Sequence, residues 1–129
     1  MGLSQYDETA PVWTTTEIVA ATSTGYVALS DLSASPYRLD TLIVRSTSPV
    51  DVDIEVSLYV GADNPIGRFV VPARAGSDGI VPTFDLLAAL RAQGVAEIIA
   101  KASALVRVRA TTALTSPYSL RIFGIGGYL

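Results

Sequence analysis

The sequence predicts an all-β domain of about eight antiparallel strands, a sandwich or barrel, with one short helix and an extended N-terminal arm. Three observations carry this. From Val50 to Val60 the chain reads Val-Asp-Val-Asp-Ile-Glu-Val-Ser-Leu-Tyr-Val, an almost unbroken apolar/polar alternation. Strand side chains point to opposite faces with a period of two. Val50, Val52, Ile54, Val56, Leu58 and Val60 therefore share a dry face, and Asp51, Asp53, Glu55, Ser57 and Tyr59 a wet one. The second observation is a like alternation at Ala104 to Thr112, with Ala104, Val106, Val108 and Ala110 facing one way and Leu105, Arg107, Arg109 and Thr111 the other. The third is regular punctuation by turn-forming residues, at Ser23-Thr24-Gly25, Ser33-Ala34-Ser35-Pro36, Ser46-Thr47-Ser48-Pro49, Gly61-Ala62-Asp63-Asn64-Pro65 and Thr115-Ser116-Pro117. Each cluster supplies Gly, Pro, Asn or Ser where the backbone must turn or leave its ladder.

Residues 1–16 are polar and Thr-rich, with Pro11, Trp13 and the run Thr14-Thr15-Thr16, and read as an arm ahead of a single domain at 17–129. Trp13 would hold the arm, either on its own domain or on a neighbouring subunit. Strands are expected at about 17–22, 25–30, 39–46, 50–61, 66–73, 96–101, 104–112 and 118–125. The long strand could span about 36 Å. In the last one, Tyr118, Leu120 and Ile122 alternate with Ser119, Arg121 and Phe123. A helix is expected at about 83–93. There Thr83 would cap the N-terminus, Asp85 complement the dipole, Arg91 occupy the last turn and Gly94 take the left-handed position after it. Phe84, Leu87 and Leu90 share a face, so this helix should lie on the sheet as a plug.

The 129 residues form one domain with enough chain for a real core. Half are hydrophobic and 16% charged, which excludes a disordered chain. A net charge of −3, with the basic residues scattered, argues against nucleic-acid binding, which needs a concentrated basic face. No run of about 20 apolar residues would span a membrane as a helix. The first residues, Met-Gly-Leu-Ser-Gln-Tyr-Asp-Glu, have neither the basic start nor the apolar stretch of a secretory leader.

Cysteine and histidine are both absent. Disulfides, thiolate chemistry, the usual neutral-pH acid/base and the commonest metal ligands are thereby excluded. Lys101, the single lysine, sits in the apolar run Ile98-Ile99-Ala100-Lys101-Ala102, where a snorkelling edge residue is the ordinary reading. Asp51, Asp53 and Glu55 form the one ordered carboxylate cluster, with neighbours about 7 Å apart along a strand. They are also what the solvated face of a strand carries, and neither a catalytic residue nor a cofactor is expected. The acids of the long strand and the arginines of the late strands could form cross-strand ion pairs, the favoured reading, or could set up complementarity between subunits. Trp13, Asp53, Glu55, Tyr59, Arg107 and Arg109 are the candidate interface residues, with Tyr59 the anchor.

The succession Leu42-Ile43-Val44-Arg45-Ser46-Thr47-Ser48, the long alternating strand, Phe69-Val70-Val71-Pro72-Ala73-Arg74-Ala75-Gly76, Val81-Pro82-Thr83-Phe84-Asp85-Leu86-Leu87 and Ala104-Leu105-Val106-Arg107-Val108 resembles the layout of small jelly-roll virion proteins of tailed bacteriophages, especially capsid decoration (cement) proteins. The resemblance covers roughly residues 17–129. It implies a jelly-roll-like sandwich and a non-enzymatic structural protein on the capsid surface, made in the host cytoplasm. It further implies a homotrimer, with the major capsid protein or other virion proteins as partners and neither nucleic acid nor membrane. The arm would be the clamp. Alternatives are another head-fibre, neck or tail-tip structural protein, or a β-sandwich carbohydrate- or receptor-binding module, for which Tyr37 is the candidate platform.

Overall fold

Alternation along the chain sorts side chains between a shared interior and two outer faces. In the computed structural model, residues 11–22, 24–29, 37–95, 98–100 and 105–128 are described. They form β1 (Pro11–Val19), β2 (Val27–Ala28), β3 (Tyr37–Ser46), β4 (Val52–Tyr59), β5 (Asp63–Val71), β6 (Phe84–Asp85), α1 (Leu86–Ala92), β7 (Ile98–Ala100), β8 (Leu105–Ala110) and β9 (Ser119–Tyr128). One sheet runs β1-β9-β3-β6, with β7 also on β3; the other runs β2-β8-β4-β5. Every pairing is antiparallel. Early strands thus lie beside late ones in both layers, which is the strand order of a jelly roll.

The core lies between the layers. Ile18, Leu42, Val44, Leu120 and Ile122 enter it from the first sheet, and Ile54, Val56, Val71, Val106 and Val108 from the second. Burying each such side chain contributes about 1.5–3 kcal/mol before entropy is counted. Val50 and Val60, at the ends of the long alternation, are exposed. Ladder pairing stops at Val52 and Tyr59, so the strand is shorter than the alternation.

Three expectations change. The boundary at 16/17 falls inside β1, because residues 11–16 already pair with β9, from Pro11 opposite Gly127 to Thr16 opposite Ile122. Threonine is a good strand former and an edge strand tolerates polar side chains, so a Thr run that reads as an arm serves as an edge. Residues 1–10 lie outside the described residues, as does Lys101. Of the strand expected at 25–30, Val27–Ala28 are strand and residues 25, 26 and 29 are not; of that expected at 96–101, Ile98–Ala100 are strand and the other residues lie outside the described ones.

The helix begins three residues later than expected. Phe84 and Asp85 first pair with Val44 and Ile43 of β3, and Asp85, not Thr83, is the cap. Its backbone is extended (φ −84°, ψ 92°) and its carboxylate accepts the Ala88 N–H at 2.9 Å, satisfying one of the orphan donors of the first turn. Gly94 does take the left-handed position, at φ +97°, with its N–H donating to the Arg91 carbonyl at 3.0 Å. Leu86, Leu87 and Leu90 are buried, and α1 packs against β3 between the short strands β6 and β7.

The glycine-rich end of the chain reflects a close backbone approach. β3 carries a bulge between Leu39 and Thr41, and Gly126 of β9 lies against it. A Cβ built on Gly126 would sit 1.7 Å from the Arg38 carbonyl oxygen. The three nearest atoms are all backbone of Arg38 and Leu39, so no flexible side chain can move aside. Gly126→Ala is expected to destabilise the fold by about 3 kcal/mol or more, read as a lower urea midpoint at unchanged slope.

Candidate functional site

The outer face of the second sheet carries the charged residues singled out in the sequence. The register sets it: β4 lies against β8 with Glu55 opposite Arg109, Ser57 opposite Arg107 and Tyr59 opposite Leu105. β5 lies on the other side of β4, with Arg68 opposite Glu55 and Val70 opposite Asp53. Wet-face residues of three strands therefore form one continuous surface.

Cross-strand pairing occupies that surface. Arg109 Nε donates to Glu55 Oε1 at 3.1 Å, and the Tyr26 hydroxyl donates to the same oxygen. Arg68 Nη2 stands 2.7 Å from Asp53 Oδ2, which also accepts the Thr111 hydroxyl at 3.0 Å. Arg107 Nε lies 3.5 Å from Asp63 Oδ1, and the buried Ser57 hydroxyl donates to that oxygen at 3.1 Å. The Arg107 guanidinium carbon is 5.3 Å from the Tyr26 ring centre and 4.8 Å from that of Tyr59; that of Arg109 is 5.3 Å from Tyr26. These separations give cation–π attraction, so two arginines and two tyrosines interleave.

The electrostatics follow from these contacts. Hydrogen bonding from Tyr26 and, against the opposing cost of burial, from Arg109 holds the Glu55 carboxyl below the usual carboxylate range. Burial, then the hydrogen bond to Glu55, pushes the Tyr26 hydroxyl up. Glu55 is thus kept ionised, the reverse of what a general acid requires. Asp51 accepts the Ala73 N–H at 2.9 Å, away from Asp53 and Glu55, so the three acids that alternate in sequence each serve a separate partner. Among the described residues, no three carboxylates gather in a way that could hold a metal ion.

Asp53, Glu55, Tyr59, Arg107 and Arg109 thus share one face, and Asp53, Glu55, Arg107 and Arg109 are held in cross-strand pairs rather than left open for a neighbour's charges. Trp13 belongs to the other sheet, where it stands opposite Ile125 in the β1–β9 ladder. The side chains of Trp13 and Tyr37 lie outside the described residues. Sequence reasoning missed Tyr26, which sits just before the two-residue β2 and so has no alternation to mark it. It also missed an apolar depression of 490 Å³ on the outer face of the first sheet, over Ile43, Phe123 and Ile125. The available signal was Phe123 and Ile125 continuing the outward series begun by Arg121.

Because folding lowers the Glu55 pKa, its contribution is complete above the ordinary value of 4.5 and is lost as pH falls through that value to the folded one. Glu55→Gln should cost about 1 kcal/mol near pH 7. The gap between wild type and variant should close on acidification below about 4.5, as followed by thermal melts across pH. No protein-family model matches the chain, and no curated protein matches it.

Proposed function

We propose that this chain is a non-enzymatic structural protein of a tailed-bacteriophage virion, a decoration protein that binds and stabilises the capsid as a homotrimer. The observation that carries the reading is the jelly-roll strand order combined with a wet face whose acids are spent on arginines, hydroxyls and backbone amides. The carboxylates of this wall are engaged by partners on the same face, and Glu55 is held ionised between Tyr26 and Arg109. The resemblance in strand layout supplies the virion context.

The mechanism is linkage. A protein that binds the assembled shell and not its separated subunits stabilises the shell by about 2.7 kcal/mol per site when present at 100 times its dissociation constant. Trimeric attachment multiplies weak single contacts through effective concentration.

Mixing the purified chain with capsids of the phage that carries it tests this directly. Saturable co-sedimentation with intact shells and a higher shell rupture temperature are expected. Recovery with tails, or no recovery with either, overturns the capsid assignment.

A further inference from the structure

The two outer faces of the sandwich differ in kind. That of the second sheet is covered by its own ion pairs. On the first sheet, register places Thr15, Phe123 and Ile43 side by side, and Glu17, Arg121 and Arg45 side by side two residues further along. One half of this face is therefore apolar and the other charged. Arg121 Nε donates to Glu17 Oε2 at 3.1 Å. Arg45 is exposed, stands directly opposite Arg121 in the β3–β9 ladder, and makes no ion pair among the described residues. Like charges directly opposed across a ladder are destabilising, so this face lacks a carboxylate at the Arg45 flank.

We propose that a second copy of this chain covers the face, the copies being related by a rotation axis running parallel to β9. The argument is self-complementarity. Rotation about an axis parallel to the strands preserves height along them. Glu17 on the β1 flank and Arg45 on the β3 flank lie at the same height, so such an axis brings Glu17 of one copy toward Arg45 of the next. It also places Phe123 against Phe123 and Ile125 against Ile125 at the axis, burying the apolar half. Each Glu17 then lies between its own Arg121 and the neighbour's Arg45, which gives Arg45 the carboxylate partner it lacks among the described residues of one copy. The relation holds for a two-fold or a three-fold axis, because both preserve height. This inference rests on the homo-oligomer within the functional reading above and assigns the face that forms it.

Sedimentation velocity of the full chain and three variants tests the assignment. Wild type is expected to be oligomeric, Phe123→Asp monomeric, and Arg45→Glu at least about 10-fold weaker in association. The double variant Arg45→Glu with Glu17→Arg is expected to recover assembly, because it exchanges the two flanks and leaves Arg121 facing a carboxylate. Circular dichroism and thermal melts establish that each variant is folded. A monomeric wild type overturns the inference, as does an oligomer indifferent to Arg45→Glu, or failure of the folded double variant to recover. Oligomers that ignore capsids leave this inference standing and remove the decoration role; a monomer that still binds capsids does the reverse.

Discussion

The register of β4 against β8 is the constraint on which the second sheet depends. With Val56 opposite Val108 and Glu55 opposite Arg109, the same alignment buries Ile54, Val56, Val106 and Val108 and brings the outward acids to the outward arginines. A slip of β8 by one residue would turn all of its side chains to the opposite face. Hydrophobic burial and charge pairing therefore select the same register, and each penalises the alternatives the other disfavours. Exposed ion pairs are individually weak, about 0.2–1 kcal/mol. Their larger effect here is specificity, since a slipped register would place guanidinium groups in an apolar interior at far greater cost.

This self-sufficiency distinguishes the two walls of the sandwich. On the second sheet, Tyr26 and Tyr59 flank Arg107, and Glu55 binds both Tyr26 and Arg109, so that wall offers few unsatisfied groups to a partner. On the first sheet, apolar Ile43, Phe123 and Ile125 adjoin Arg45, which makes no ion pair among the described residues. Apolar surface next to an uncompensated charge is a pattern that association resolves, by burying the one and pairing the other.

Much of this was legible in the sequence where alternation was strong. β4 and β8 and their faces follow from period-two patterning, because each has one dry and one wet side, whereas their pairing was only the favoured of two readings and is set by the ladder between them. β1 was obscured because Thr14-Thr15-Thr16 looks the same in an arm and in an edge strand. What decides the matter is the distant β9, which pairs with it. β6 was hidden because Phe84 and Asp85 fit a helix start, and only the ladder with β3 moves that start to Leu86. Tyr26 illustrates the limit most clearly, since its partner Glu55 is 29 residues away and no local pattern connects them.

The central claim is that the second sheet's wall is closed on itself while the first sheet's wall faces another copy. The chain contains no cysteine, so single introduced thiols report proximity without interference. Mild oxidation of Phe123→Cys should yield disulfide-linked pairs, whereas Arg68→Cys, exposed on the second sheet, should remain uncrosslinked. Crosslinking through Arg68→Cys with none through Phe123→Cys would contradict the account.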